Sequence, residues 1–217
     1  MKKAAFFDID GTLIRCLSQQ VLTEELIRNK SLSLSLVAKI YFWFFLYKAG
    51  LVNTSIKLRE NAYSVFAHKT KDSFGDIFRA AIKKIIPSRI CAGMETIVNT
   101  HRDNGDLIFA ISGGLMDLCE PICREFNITK IYATRLRCQD GRYTGAWEGN
   151  VWEGERKAEL IKSLSQQYKI NLQESFAYAD SYSDLPMLQT VGNPVSVNPD
   201  NRLRKWALNN NWPMLKI

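Results

Sequence analysis

The sequence predicts an α/β fold in which a doubly wound parallel sheet carries a helical insertion after its first strand. Short apolar runs, typical of buried parallel strands, alternate with helical segments over the second half of the chain. Helical patterns fill the interval after the first of these runs, and chemically active residues follow several runs directly. The composition, 46% hydrophobic and 24% charged over 217 residues, is that of an ordinary globular protein.

The first predicted strand, residues 3–9, is followed by a long helical interval. Apolar residues between Leu17 and Leu26 recur at the spacing of one helix face, and similar patterns continue to about residue 89. We therefore predict a helical cap domain over residues 14–90. The remaining two stretches, 1–13 and 91–217, are predicted to form the α/β core.

After Pro87 the pattern changes to an alternation of strands and helices. A strand over residues 107–111 runs into the turn Ser112-Gly113-Gly114, and a helix follows over residues 115–126. The later predicted elements are a strand at 130–136, a helix within 151–168, and strands at 175–179 and 194–197. This order favours parallel strands joined by helical crossovers.

Cysteine usage and the apolar segments predict a cytoplasmic protein. The five cysteines are odd in number and contain no CxxC pair, which argues against a disulfide framework and against a zinc ribbon. Asp8 and Asp10 interrupt the apolar start of the chain, so it is too short for a signal peptide. The aromatic run at residues 40–47 lies between Lys39 and Lys48 and is too short to cross roughly 30 Å of hydrocarbon.

Positive charge is concentrated in the predicted cap. Residues 14–90 contain 13 Lys and Arg and five Asp and Glu, a net charge of +8. The net charge of this segment exceeds that of the whole chain, which is +7. Such a stretch can attract an anionic substrate, an anionic membrane surface or nucleic acid, and it can equally be a solvated face. No nucleic-acid-binding motif accompanies it, so we expect no nucleic acid partner.

Chemically active residues follow the predicted strands. Because ligands in such sheets bind at the carboxyl ends of the strands, these residues are expected to meet at one edge. They comprise four acids, a hydroxyl, a pair of glycines and a lysine: Asp8, Asp10, Ser112, Gly113, Gly114, Lys157, Asp180 and Asp184. Carboxylates at such short separations repel one another unless a cation lies between them. Mg²⁺ prefers oxygen ligands of this kind together with water and phosphate.

This residue set suits phosphoryl transfer. Asp8 and Asp10 are separated by one residue, so in an extended chain both point to the same face. One carboxylate of such a pair can attack phosphorus, and the other can protonate the leaving group and later activate water. Lys157, Ser112 and the backbone N–H groups of Gly113-Gly114 can bind the peripheral oxygens.

The motifs resemble those of the haloacid dehalogenase superfamily over the whole chain. The matching residues are Asp8-Ile9-Asp10-Gly11-Thr12-Leu13, Ser112, Lys157, and Asp180 with Asp184. The helical insertion, the segment Asp140–Gly145 with Trp147, and the tail Val191–Asp200 with Trp212-Pro213 are similar to the phosphoserine-phosphatase-like branch, subfamily IB. This resemblance implies a Rossmann-like doubly wound parallel sheet with an inserted all-helical cap.

The resemblance also implies a reaction and a role for each motif residue. It implies a Mg²⁺-dependent phosphatase that forms a covalent aspartyl-phosphate, with Asp8 as nucleophile and Asp10 as general acid/base. Mg²⁺ would be held by the Asp8 carboxylate, the Asp10 carbonyl and the Asp180 carboxylate, with Asp184 supporting the metal. The residues expected at the transferring phosphoryl group are Thr12, Ser112, Gly113 and Lys157.

The substrate is left open by these motifs. Leu17 occupies the position at which phosphoserine phosphatases carry an acid for the substrate ammonium group, and a leucine cannot form that ion pair. The apolar run at 40–47 is either cap core or a surface for a lipid phosphate or a membrane. Trp147 and Trp152 either line the entrance to the site or contribute to the packing of the hairpin. A phosphorylated small molecule, a phosphotransferase reaction and a non-enzymatic basic binding module are the alternatives.

Overall fold

The computed structural model describes residues 2–32, 35, 38, 42 and 63–217. In this part of the chain, seven strands form one sheet in the order β4-β3-β2-β1-β5-β6-β7, with only β4 antiparallel to its neighbour. The strands are β1 (Ala4–Phe7), β2 (Leu107–Leu115), β3 (Lys130–Gln139), β4 (Arg142–Glu148), β5 (Phe176–Ala179), β6 (Asn193–Val197) and β7 (Met214–Leu215).

Helices cover both faces of the sheet. The α-helices with both ends among the described residues are α1 (Ser18–Arg28), α2 (Lys71–Arg89), α3 (Ala92–Asp103), α4 (Met116–Glu125), α5 (Glu155–Tyr168), α6 (Leu185–Leu188) and α7 (Asn201–Asn209). Short 3₁₀ helices lie at Ser64–Phe66, Leu172–Glu174 and Tyr182–Asp184. The predicted doubly wound parallel sheet is confirmed.

β1 lies at the centre because it is apolar on both faces. Ala5 and Phe7 join a hydrophobic cluster with α1 to α4, whereas Ala4 and Phe6 join a second cluster with α5 to α7. All four side chains are fully buried. Alternate residues of a strand point to opposite faces, so a short uninterrupted apolar run is what a strand between two helical layers requires.

The end of β2 differs from the sequence prediction. The predicted turn Ser112–Gly114 belongs to β2, which runs irregularly to Leu115, because Leu115 pairs again with Thr134 of β3 after a register shift. Helix α2 reaches Arg89, in agreement with the helical pattern predicted to about residue 89, and contains Pro87 in its last turn. A proline in a last helical turn removes a single hydrogen bond, so the turn can close around it.

The described ends of the insertion pack onto the core. α1 and α2 lie side by side, and the buried Glu25 of α1 forms an ion pair with Lys84 of α2. The β3–β4 hairpin contacts the segment before α2, where Phe66 packs edge-on against Tyr143. The cap boundaries at residues 14 and 90 stay a prediction.

The aromatic run at 40–47 lies outside the described residues except for Phe42, which is exposed. Among the described helices, none combines the length and apolar character that a membrane crossing requires.

Candidate active site

The carboxyl ends of three adjacent strands bring the predicted residues to one edge of the sheet. β1 leads into Asp8 and β5 leads into Asp180, and these strands pair in parallel. On the other side of β1, β2 carries Ser112. Lys157 enters from the first turn of α5, and Asp184 is the last residue of the 3₁₀ helix after β5.

Lys157 is the buried centre of this site. Its ammonium group donates to Asp8 Oδ1 at 2.6 Å and to Asp184 Oδ2 at 2.9 Å. The three residues are 2%, 6% and 5% exposed, so their charges interact with little screening by water. Burial alone would lower the pKa of Lys157, but the charges of Asp184 and Asp8 outweigh it and raise that pKa. Lys157 is therefore a cation at neutral pH.

Three carboxylates surround one point beside this lysine. Asp8, Asp180 and Asp184 each offer an oxygen, and these oxygens lie within 4.8 Å of one another. Burial raises the pKa of Asp180 to about 8, with further contributions from the charges of Asp8 and Asp184. Burial also raises the pKa of Asp8, and it raises the pKa of Asp184 to about 6. The positive charge of Lys157 opposes both increases. The three acids carry more negative charge than one lysine neutralises.

This donor set fits a hard divalent cation. Carboxylate oxygens are the ligands that Mg²⁺ prefers, and a cation among them would remove the repulsion that raises these pKa values. The described cluster consists of Asp8, Asp180 and Asp184. The Asp10 carboxylate is engaged elsewhere, which is compatible with the predicted contribution of its backbone carbonyl alone.

The Asp10 carboxylate is held by the first residue of α1. Ser18 donates its backbone N–H to Asp10 Oδ1 at 3.1 Å and its hydroxyl to Asp10 Oδ2 at 3.0 Å. Ser18 is fully buried. Sequence reasoning missed this residue; the signal was a serine at the start of an amphipathic helix, where N–H groups lack helical partners. The contact fixes the orientation of Asp10.

Of the residues predicted at the phosphoryl group, Ser112 lies close to this contact. Ser112 Oγ accepts from Gly114 N at 3.0 Å, and the Gly113 carbonyl accepts from Thr134 Oγ1 at 3.0 Å. A Cβ atom at Gly114 would lie 3.2 Å from Ser112 Oγ and 3.6 Å from Ser18 Oγ, so Ser112 adjoins the residue that holds Asp10. Thr12 Oγ1 is buried without a hydrogen-bond partner in the described residues.

Gly11 lies directly against Asp180. Its φ is +82°, and a Cβ atom there would be 2.1 Å from Asp180 Oδ2. Position 11 requires glycine because other residues rarely adopt this positive φ and because Asp180 leaves no room for a Cβ atom. Asp200, also missed from the sequence, supports the same loop: its N–H donates to the Asp180 carbonyl at 2.8 Å, and its carboxylate accepts from Tyr182 N. Its sequence signal was that of a helix N-cap before α7.

A cleft of about 390 Å³ opens onto this site. Its described lining includes Gly11, Asp180, Leu17 and two arginines. Trp147 and Trp152 are absent from that lining. Trp147 packs edge-on against Tyr63, and Trp152 packs edge-on against Tyr132. Of the two interpretations, packing therefore holds for both tryptophans.

Comparison with known proteins places the chain in a family. Residues 5–189 match the model of the haloacid dehalogenase-like hydrolases. A histidinol-phosphatase of Neisseria meningitidis is 30% identical over 100% of both chains. A phosphoserine phosphatase of Mycobacterium tuberculosis is 30% identical over 96% of this chain and 69% of its own.

A solved structure has the same fold. The phospho-aspartyl intermediate analogue of a phosphoserine phosphatase superposes with a TM-score of 0.73 at 21% identity, covering 99% of this chain and 92% of that one. The family model and the relatives confirm the family resemblance predicted from the sequence. This chain belongs to the haloacid dehalogenase-like hydrolases, in the phosphoserine-phosphatase-like subfamily IB, and is a phosphatase of that family.

Proposed function

We propose that the chain is a Mg²⁺-dependent phosphomonoesterase that acts through a covalent phosphate ester of Asp8. The observation that carries the proposal is the contact of Lys157 with both Asp8 and Asp184 beside Asp180. A lysine held against a nucleophilic carboxylate is positioned to bind the transferring phosphoryl group as well.

Asp8 is proposed as the nucleophile. Lys157 holds its Oδ1 atom, so we assign the attack on phosphorus to Oδ2. The Oδ2–P bond forms as the bond from phosphorus to the leaving oxygen breaks. Asp10 donates a proton to that oxygen, and the alcohol departs.

Hydrolysis of the intermediate is proposed to use the same groups. Asp10, now deprotonated and oriented by Ser18, takes a proton from water. The water oxygen attacks phosphorus, the P–Oδ2 bond breaks, and inorganic phosphate leaves with Asp8 restored. Thr12 Oγ1, Ser112, Gly113 and Lys157 are proposed to bind the phosphoryl oxygens, and the orphaned Thr12 hydroxyl gains a partner in this way.

Asp8, Asp180 and the Asp10 carbonyl are proposed to hold Mg²⁺, with Asp184 supporting it. A bound Mg²⁺ would neutralise charge on the phosphoryl oxygens during transfer. Phosphorylated small molecules are the proposed substrates, since the matched relatives are named for histidinol phosphate and phosphoserine. A lipid phosphate, contact with a membrane surface and a cytoplasmic location stay predictions.

Phosphate release measured with several phosphomonoesters, with Mg²⁺ and with EDTA, tests the proposal. Asp8→Asn should lower the rate by about 10⁴-fold, because an amide oxygen is a poor nucleophile. Asp103→Asn, an exposed acid at the end of α3, is the matched control and should keep full activity. Wild-type protein quenched during turnover should carry a hydroxylamine-sensitive phosphate that Asp8→Asn lacks.

Mg²⁺-dependent turnover by Asp8→Asn would refute the assignment of the nucleophile. Product analysis with an added alcohol separates hydrolysis from phosphotransfer: a phosphorylated alcohol in place of free phosphate identifies a phosphotransferase that uses the same residues.

A further inference from the structure

The cleft above the candidate site has a charged rim that the proposed phosphoryl chemistry does not use. Its described lining includes Arg15 and Arg89, called here the hinge arginines, together with Leu17 and Glu24. Gly11 and Asp180 line the same cleft. A group bound between the hinge arginines therefore lies within the space that a leaving group would occupy.

The two hinge arginines are brought together by backbone pairing. The two ends of the predicted cap pair antiparallel through the bridge Ile14–Ile90. Arg15 N donates to the Arg89 carbonyl at 2.7 Å. Residues directly opposite in an antiparallel pair project their side chains to the same side. Both arginines are exposed.

Two guanidinium groups at opposite positions repel one another, which is costly without an anion between them. Within the described part of the chain, neither forms an ion pair, whereas Arg28, Arg79 and Arg124 each pair with an acid. The pair is an anion-binding arrangement at the mouth of a phosphatase site.

The opposite side of the cleft is formed by one face of α1. Leu17, Gln20 and Glu24 lie along it, and Gln20 donates to Glu24 Oε1 at 3.4 Å. Glu24 is two helical turns, about 10 Å, beyond Leu17. The nearer part of this face is therefore apolar, and it offers no acid for an ammonium group close to the phosphate.

We propose that Arg15 and Arg89 bind a second anionic group, a carboxylate or a second phosphate, that the leaving group of the substrate carries. The inference rests on the proposed phosphatase function and selects among its substrates. Guanidinium groups bind carboxylate and phosphate through paired, charge-assisted hydrogen bonds, so such a group is oriented as well as attracted. A leaving group with a positive charge, as in histidinol phosphate, is disfavoured by the same pair.

A matched series of three-carbon phosphates tests this. Glycerol 3-phosphate is the neutral member, and 3-phosphoglycerate and 1,3-propanediol bisphosphate carry a carboxylate and a second phosphate. We expect kcat/KM for one of the two anionic members to exceed that for glycerol 3-phosphate by about tenfold to a hundredfold. This range is the fold-change that corresponds to the free energy of hydrogen bonds to charged groups. The preferred anionic member identifies the second group.

Variants show whether the hinge arginines cause the preference. Arg15→Gln and Arg89→Gln should each reduce the ratio of kcat/KM values between the anionic and neutral substrates by about tenfold. Arg15→Lys, which keeps the charge and loses the paired donors, should retain part of the ratio. Arg79→Gln removes the same charge from the exposed surface of α2 and should keep the wild-type ratio.

Any of the following results would overturn the inference while leaving the phosphatase function intact. They are a wild-type ratio near one, a ratio that neither glutamine variant changes, and faster turnover of histidinol phosphate than of either anionic substrate. An equal fall of the ratio in Arg79→Gln would assign the effect to general attraction and also overturns it. Absence of Mg²⁺-dependent phosphate release from every substrate would instead refute the proposed function.

Discussion

Replacement of Gly11 by alanine isolates the contribution of the Asp180 position to activity. A Cβ atom at Gly11 would lie 2.1 Å from Asp180 Oδ2 and 2.4 Å from its Cγ, well inside the 3.4 Å at which ordinary contact begins. The Asp180 carboxylate must therefore move by roughly 1 Å, a displacement that can cost about 10²-fold in rate. The left-handed backbone, with φ +82°, adds about 1–2 kcal/mol of destabilisation.

Gly105→Ala is the matched control. Gly105 has a φ of +75°, and nothing lies within 4 Å of the position that its Cβ would take. It should therefore show the backbone penalty of about 1–2 kcal/mol without loss of activity. Urea unfolding gives the free energy of unfolding for both variants, and a Mg²⁺ titration of phosphate release gives kcat and the half-saturating Mg²⁺ concentration.

The expected result is a similar loss of stability in both variants and a selective effect on Mg²⁺. Gly11→Ala should need more Mg²⁺ and lose about 10²-fold in kcat/KM, whereas Gly105→Ala should match the wild type. Equal activity of the two alanine variants would show that the Asp180 position does not limit the reaction, and the reasoning from this contact would be wrong.

Further predictions follow from the charges and the hydrogen bonds of the site. The pKa of Asp180 is raised to about 8 in the folded chain, so the folded state binds the extra proton and the free energy of unfolding in EDTA should fall as the pH rises from about 5 to about 8. In urea titrations Mg²⁺ should offset this fall, and Asp180→Asn should reduce it, chiefly in the upper part of the range; a free energy that instead rises with pH would contradict this prediction. Lys157→Met leaves two buried acids uncompensated and should cost about 3–5 kcal/mol in EDTA, measured by the same titration, with less loss in Mg²⁺. Thr12→Val removes a buried hydroxyl that has no hydrogen-bond partner, so the free energy of unfolding should be unchanged or higher. The KM for any phosphomonoester should rise, and an unchanged KM would exclude Thr12 from phosphate binding. Ser18→Ala removes the hydroxyl hydrogen bond to Asp10 Oδ2 and keeps the backbone one to Oδ1, and it should lower kcat by about 10-fold with little change in KM, read from steady-state kinetics, whereas an effect on KM alone would contradict a positioning role.

The sequence predicted the sheet and the reaction because both depend on local patterns. A strand that is buried on both faces must be apolar throughout, so the run ending at Phe7 identified the central strand. The acids at Asp8, Asp10 and Asp180 could be placed at one edge because parallel strands end on the same side of a sheet. The element boundaries were less accurate where pairing with a distant strand decides them, as at Leu115 of β2.

The residue sequence by itself determined the fold class, the family motifs and the kind of chemistry, since each follows from residue type and spacing. Only the tertiary structure decided which further side chains join that site and how its residues are held. Ser18 holds Asp10 because helix α1 begins beside the end of β1, and Arg15 lies opposite Arg89 because segments more than 70 residues apart in the chain pair there. Such contacts depend on chain closure through space, and short-range periodicity carries no information about them.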